Sequence, residues 1–299
     1  MQNSSTMNFD HSNSWNILST IEIGIKQKIE AVGIPLRDWN VRINRGILTG
    51  FNEAFIISGE KRDELVAADP KSAEIIRPIL RGRDIKRYGY TFANLYVIVA
   101  QYGSYEYLET KYPAIYRHLF QYKEALQKRG QCRYTSSGKK NTNKPYPGQH
   151  HWLELDNNPR QEYLDDFSKQ KIVWGNLCLS AQFAFVENDY FVNAPSPMIV
   201  PGNKYILAVL NSKVGDWYIR QLGVTRNGGY FEYKPMFVEK LPIPQISEGQ
   251  QVAFVKAVDA LLEAKQNSID LTPYEADIDR MVFQLYNLSD EEIRYINGA

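Results

Sequence analysis

Val41-Arg42-Ile43-Asn44-Arg45-Gly46-Ile47-Leu48-Thr49-Gly50-Phe51-Asn52-Glu53-Ala54-Phe55-Ile56-Ile57 is followed further along by Ile76-Arg77-Pro78-Ile79-Leu80-Arg81-Gly82-Arg83-Asp84-Ile85-Lys86-Arg87-Tyr88. In the first half, β-branched and aromatic residues flank a Thr49-Gly50-Phe51-Asn52 corner, which reads as strand, glycine turn, strand. The second half reads as a basic loop with two apolar anchors. Arg77 to Arg87 holds five Arg or Lys against the single Asp84, and Pro78 and Gly82 keep it from being an ordinary solvated helix face. A positive loop held on a sheet is suited to binding phosphate.

Upstream, residues 1 to 14 are rich in Asn and Ser and read as a disordered leader. From Trp15 to Ala31, Ile17, Ile21, Ile25 and Ile29 recur every fourth position behind Ser14 as N-cap. That spacing predicts an amphipathic helix, ended by Gly33 and Pro35. Downstream, Glu60–Ala68 and Asp69–Ile75 predict short helices, Leu95–Ala100 a strand, and Tyr105–Leu126 a helix interrupted at Pro113. Tyr107, Tyr112, Tyr116 and Tyr122 read as half-buried packing rather than as a surface for stacking bases. Lys171–Trp174, Phe183–Val186 and Met198–Val200 predict strands, the last after an Asn193-Ala194-Pro195-Ser196 turn, and Lys204–Gln221 predicts a helical region.

Two further segments carry charge in loop-forming company. Arg129 to His151 contains Arg133, Lys139, Lys140 and Lys144 and no acidic residue among Ser, Gly, Asn and Pro. It reads as a long loop without structure of its own, either a solvated insertion or a segment that orders on a nucleic-acid backbone. Thr225-Arg226-Asn227-Gly228-Gly229-Tyr230 is glycine-rich and basic. Arg226 and Asn227 suit base edges and Tyr230 suits stacking, with a plain hairpin turn as the rival reading. Beyond residue 245, Ser247 with Gln250, Thr272 with Glu275 and Ser289 with Glu292 are capping-box spacings, and Ile278, Val282 and Leu285 form a buried stripe, so the tail is helical.

The chain has 299 residues, of which 43% are hydrophobic, enough for a real core. No apolar run approaches the roughly 20 residues that span a bilayer, and Met1-Gln2-Asn3-Ser4-Ser5 is no secretory signal, so the cytoplasm is the expected compartment. Cys132 and Cys178 are too few for a disulfide framework. The net charge of +1 hides a split: residues 245 to 299 carry ten acids against four bases, leaving +7 on the preceding part. A DNA-facing body with a protein-facing tail has this asymmetry, and so do acidic solvated helices on any protein.

Catalytic signals are missing. The Asn- or Asp-Pro-Pro-aromatic loop that holds a flipped adenine is absent, Asn158-Pro159-Arg160 being the nearest approach, and no glycine-rich turn after a strand stands ready for a methyl donor. Glu109-Thr110-Lys111 and Glu263-Ala264-Lys265 echo nuclease triplets by chance, and no Gly-x-Ser-x-Gly elbow occurs. The adjacent His150 and His151 diverge, and Cys132 lies outside any Cys-x-x-Cys pair, so no metal site is expected.

The pattern Arg45-Gly46-Ile47-x-Thr49-Gly50-x-Asn52-x-Ala54-Phe55-x-Ile57, with Pro78-x-Leu80-Arg81-Gly82-Arg83-Asp84-Ile85-x-Arg87-Tyr88 after it, resembles the TaqI-like C-terminal specificity domain. The likeness continues through Tyr205–Lys213, Leu241-Pro242-Ile243-Pro244 and Ile278–Ile293, over roughly residues 15 to 296. It implies an α+β fold: a mixed-sheet target-recognition domain over 33–244, behind a connector helix at 15–32 and before a helical tail at 245–299. It also implies recognition of double-stranded DNA for an adenine-specific methyltransferase or a type IIG restriction-modification enzyme. The catalytic domain would then lie outside this chain, joined in cis or in trans, with S-adenosylmethionine used by the parent and no cofactor here. On that basis Arg81, Arg83, Lys86 and Arg87 are expected to position the DNA backbone. Arg42, Asn44 and Arg45 would face the duplex from a strand, and Arg226 and Asn227 would read bases with Tyr230 stacking. Arg133, Lys139, Lys140 and Lys144 join them as loop contacts. Asp84 is expected to hold neighbouring arginines, and Arg77, which precedes Pro78, to contact the backbone or equally to be structural. The rival readings are a stand-alone metal-dependent nuclease and a protein-interaction subunit.

Overall fold

A computed structural model of the chain describes residues 19–130, 132, 150–157, 159–187 and 189–298. At its centre is a four-stranded antiparallel sheet in the order Phe183–Val186, Lys171–Trp174, Pro197–Val200, Arg42–Arg45. The first three of these strands are buried along their whole length. Successive side chains on a strand point to opposite faces, and here the alternation feeds two cores. Ile172, Trp174, Phe183, Phe185 and Ile199 enter one, while Val173, Ala184, Val186, Met198 and Val200 enter the other. A sheet covered on both faces needs apolar residues at every position, which is why these segments read as unbroken apolar runs.

Helices cover the first face. Thr20–Val32, Lys204–Asn211, Lys213–Leu222, Glu248–Gln266 and Thr272–Leu285 contribute Ile25, Ile29, Tyr205, Val258, Leu261, Ile278, Val282 and Tyr286 to one core. The first helix and the last helices thus pack together on this face, and Ile34–Pro35 pairs with Pro242–Ile243 beneath them. On the other face lies a second, mixed sheet in the order Phe191–Val192, Ile76–Leu80, Leu95–Ile98, Ile56–Ser58, with Phe191–Val192 parallel to its neighbour. Helices Gly59–Ala68 and Pro113–Phe120 close that core with Leu65, Ile115 and Leu119. The fold is α+β, as expected.

Details of the key stretch differ from the sequence reading. Arg42–Arg45 and Ile56–Ser58 do not form a hairpin; they belong to different sheets, and Asn52–Phe55 between them is a helical turn. Thr49 Oγ1 accepts from the Phe51 N–H at 3.2 Å and donates to Asn52 Oδ1 at 2.7 Å, so the corner hands the chain from one sheet to the other. Half of the expected basic loop is strand: Ile76–Leu80 pairs with Leu95–Ile98, and only Gly82–Asp84 is an irregular turn. Pro78 is tolerated in this inner strand because Phe191–Val192 pairs only with Ile79 and Leu80 beyond it.

Caps differ as well. The first helix begins behind Ser19, whose side chain and Glu22 form a full capping box, and Ser14 and Ile17 lie outside the described residues, as do residues 1–14. Ser247 and Ser289 cap as predicted. Thr272 does not, since its N–H and hydroxyl donate to Asp270 Oδ1. Lys204–Gln221 divides into two helices at Ser212, which accepts from the Gly215 N–H at 3.1 Å. Among the described residues no helix is long and apolar enough to cross a membrane.

Candidate nucleic-acid interface

Three of the segments singled out by sequence meet at the turn Asn193–Ser196. The Gly46 N–H donates to Ser196 O at 2.7 Å, the Asn193 N–H to Leu80 O at 2.8 Å, and Asn176 Nδ2 to Pro195 O at 3.0 Å. The approach is too close for side chains: a Cβ on Gly46 would stand 2.3 Å from Val192 O, and one on Gly82 would stand 2.8 Å from Ser196 Oγ. The end of the Arg42–Arg45 strand, the Gly82–Asp84 turn and the Gly175–Cys178 loop are therefore neighbours. The last leads into a three-stranded antiparallel sheet, Leu177–Cys178 with Tyr230–Glu232 and Thr225–Arg226. Thr225–Tyr230 is thus a hairpin, its tip carrying Gly228 and Gly229 at φ +78°.

The residues expected to contact DNA divide into two groups. Arg45, Arg83 and Lys86 are exposed and have no ion-pair partner among the described residues, and Asn227 and Tyr230 are exposed on the hairpin. The others are held. Arg81 forms a two-point pair with Asp84, Nε to Oδ2 at 2.9 Å and Nη2 to Oδ1 at 2.8 Å. Burial pushes the Asp84 carboxyl up, but the hydrogen bonds from Arg81 outweigh that and hold it below its ordinary value. Arg87 pairs with Glu275 at 2.6 Å. Arg42 grips the buried Asp166 through Nε at 3.1 Å and through Nη2, while Asn44 Nδ2 donates to the same carboxylate at 3.0 Å. Arg226 pairs with Glu232. Arg77 donates to the carbonyls of Ala73, Glu74 and Ile76, which fits the structural one of its two readings.

Arg133, Lys139, Lys140 and Lys144 lie outside the described residues. Beside that segment, Arg129 is buried and donates to the carbonyls of Leu126, Thr49, Trp152 and Glu154. Burial pulls this guanidinium down to about 10, outweighing the opposing pull of Cys132, Asp156 and Glu154. Arg129 therefore ties Thr49 to the Trp152–Glu154 segment. His150 Nε2 lies 3.3 Å from Asp156 Oδ1, and the His151 ring stacks on Tyr105 at 4.7 Å. No group of three or more His, Cys, Asp or Glu is placed to hold a metal among the described residues. Of the four tyrosines read as packing, Tyr112 is buried and Tyr116 and Tyr122 are half-buried, while Tyr107 is 37% exposed.

Sequence reasoning passed over Arg160. With Arg45 it lines a cleft of about 350 Å³ that also includes Asn44, Gly46, Asp156, Asn157 and Tyr163. Tyr163 Oη donates to Arg45 O at 2.8 Å and fixes that wall, and neither guanidinium has an ion-pair partner among the described residues. The only signal in the sequence was a lone Arg after Asn-Pro, too common to single out.

The model of the TaqI-like C-terminal specificity domain matches residues 77–243, more than half of the chain. The chain belongs to that family. Within the TaqI-like specificity domain, the match takes in the Arg81–Tyr88 segment, the central-sheet strands after residue 171 and the hairpin. The curated type II methyltransferase M.MjaIV of Methanocaldococcus jannaschii is 22% identical over 254 residues, which is 82% of this chain and 79% of that protein. Among solved structures, the type IIL restriction-modification enzyme MmeI in complex with DNA superposes with a TM-score of 0.66 at 14% identity. That superposition covers 88% of this chain and 35% of the MmeI chain, so the chain spans about a third of MmeI's length and shares its fold there. The type IIG restriction endonuclease BpuSI matches with a TM-score of 0.46 at 14% identity.

Proposed function

We propose that the chain is the DNA target-recognition part of an adenine-specific methyltransferase or of a restriction-modification enzyme of the type IIG kind, with methyl transfer or cleavage performed by a catalytic domain in cis or in trans. The observation that carries this is the gathering of Arg45, Arg83 and Lys86, none with an ion-pair partner among the described residues, with the exposed hairpin around one turn, in a member of a specificity-domain family. Free cations set position on phosphates, and the hairpin supplies donors and an aromatic for base edges. S-adenosylmethionine would serve the catalytic domain. The missing adenine-holding loop fits a chain that recognises and does not transfer.

Selection from a random duplex library at low and then physiological salt tests the proposal. An enriched motif that survives the higher salt is the expected result. Salt-sensitive binding without a motif, near the roughly 10⁻⁴ to 10⁻⁶ M of non-specific contact, would refute sequence reading by the chain alone; a motif gained on adding a methyltransferase partner would assign specificity to the pair. A second reading, methyl transfer by the chain itself, is favoured by M.MjaIV, most of whose length is matched here. Transfer of labelled methyl from S-adenosylmethionine to duplex DNA by the purified chain would establish it.

A further inference from the structure

The small sheet of Thr225–Arg226, Tyr230–Glu232 and Leu177–Cys178 has two unlike faces. Phe231 lies opposite both Cys178 and Thr225; Cys178 is buried and Phe231 packs on the helical core. Glu232 lies opposite Leu177, and Arg226 opposite Tyr230, so these four side chains share the outer face. Leu179 extends the row beside Gly229, and Val224 precedes Thr225 in the same alternation. This face is apolar and open: Leu177 is 53% exposed, Leu179 54%, Val224 54% and Tyr230 43%. Apolar groups gathered on one exposed face mark a contact surface.

A carboxylate is buried within that patch. The Glu232 side chain is 3% exposed; it accepts from Arg226 Nε at 2.6 Å and also from Nη2, and Lys234 Nζ stands 3.0 Å from its other oxygen. The Arg226 side chain nevertheless remains 54% exposed. A guanidinium has five N–H donors, and Glu232 occupies one edge, so the remaining edge is turned outward in a fixed direction. That free fork matches the two acceptors, O6 and N7, on the major-groove edge of guanine.

The ribbon is held firmly from below. The Arg220 guanidinium lies 4.1 Å from the centre of the Phe231 ring and donates to Leu179 O at 2.7 Å. Trp174 Nε1 donates to Tyr233 O at 2.6 Å, and the Tyr233 hydroxyl donates to Asp216. Lys234 and Arg226 stand on the outer face beside Glu232, and Arg83 and Lys86 stand on the adjoining segment, so the apolar groups have cations next to them. A polyanion with apolar groups on its inner edges fits such a face, and the major groove of B-DNA admits a two-stranded β-ribbon.

We propose that this outer face is the base-reading surface: the ribbon enters the major groove, Arg226 reads one guanine with Glu232 as its positioning residue, and Leu177 and Leu179 lie against thymine 5-methyl groups beside it. The assignment rests on the DNA-recognition reading above. It makes Glu232, which the sequence offered no reason to select, a determinant of specificity.

The test starts from the motif selected by the full chain. Replacing one guanine of that motif by 7-deazaguanine, which lacks the N7 acceptor, should weaken binding about tenfold and have no effect on Arg226→Ala. Glu232→Gln keeps the side-chain volume and should blunt discrimination at that base while leaving the salt dependence unchanged; Arg226→Lys, which keeps the charge, should do the same. Deoxyuridine in place of thymine at neighbouring positions should weaken binding by the unaltered chain and not by the Leu177→Ala, Leu179→Ala pair, with thermal unfolding used to select folded variants. Recovery of an unchanged motif by the Arg226 and leucine variants would overturn the proposal. So would loss of a methyltransferase domain's binding by the leucine pair with the motif intact, which would make the face a protein dock. Absence of any motif or salt-resistant duplex binding by the unaltered chain, both alone and with a methyltransferase partner added, would instead refute the DNA-recognition reading itself.

Discussion

Arg87 Nε donates to Glu275 Oε1 at 2.6 Å, joining the segment after the Gly82–Asp84 turn to the helix Thr272–Leu285 at the far end of the chain. Lys265, on the preceding helix, donates to Arg87 O. The acidic tail is therefore a brace for the basic segment as well as a solvated face. Its Glu275 carboxylate holds Arg87, while Arg83 and Lys86 on either side of Ile85 have no ion-pair partner among the described residues.

Arg87→Ala is accordingly expected to act on stability. Its side chain is 26% exposed and that of Glu275 30%, so the pair is half-desolvated and its loss should cost roughly 1–3 kcal/mol. Urea unfolding measures this, and the exchange Arg87→Glu with Glu275→Arg should recover part of it. The slope of log affinity for duplex DNA against log salt should be the same in Arg87→Ala as in the unaltered chain. A slope lowered as by loss of a phosphate contact would return Arg87 to the DNA-facing group.

Arg83→Glu and Lys86→Glu should behave oppositely. Neither residue has an ion-pair partner among the described residues, so thermal midpoints should shift by no more than a surface substitution allows. Each should lower the salt slope of DNA binding by about one, the signature of one lost phosphate contact, uniformly across sequences. Arg45→Glu and Arg160→Glu, at the rim of the neighbouring cleft, extend the same comparison to residues the sequence ranked unequally.

What was legible in the sequence follows a physical division. Lys171–Trp174 and Phe183–Val186 were readable to the residue because burial on both faces demands an unbroken apolar run. The corner at Thr49–Asn52 was not, because local residues specify a turn without saying which sheet receives the next strand. Charges were least legible. Arg42 finds Asp166 and Arg87 finds Glu275 across 124 and 188 residues, so an arginine bound for a phosphate and one bound for a distant carboxylate look alike in sequence. Asp84 was the exception, since its partner Arg81 is three residues away.

Glycine substitutions separate close approach from mere flexibility. Gly46→Ala would place a Cβ 2.3 Å from Val192 O, a backbone atom that cannot rotate aside, and would push apart the turn Asn193–Ser196 on which the interface is assembled. A loss of about 1–3 kcal/mol is expected in urea unfolding, together with weaker DNA binding. Gly249, in the first turn of Glu248–Gln266, has nothing within 4 Å of a built Cβ. Gly249→Ala should stabilise the chain by about 0.4–1 kcal/mol through reduced freedom of the unfolded state.

A last prediction concerns pH. His118 is buried, its Nε2 donates to Ala54 O at 2.9 Å, and Nδ1 has no hydrogen-bond partner. Burial opposes the charged ring more than the Ala54 carbonyl and Glu64 favour it, with Lys61 adding to the opposition, so the imidazole titrates below its ordinary 6.5. The folded chain then binds this proton less tightly than the unfolded chain does. Its contribution to stability is complete above about pH 6.5 and is lost as pH falls through the lower folded value. His118→Gln, which can still donate to Ala54 O but cannot titrate, should be closest to the unaltered chain in acid and relatively less stable above neutrality. Unfolding free energies of the two, measured from pH 8 to pH 5, should therefore converge on acidification; curves that stay parallel would show that His118 does not link protonation to folding.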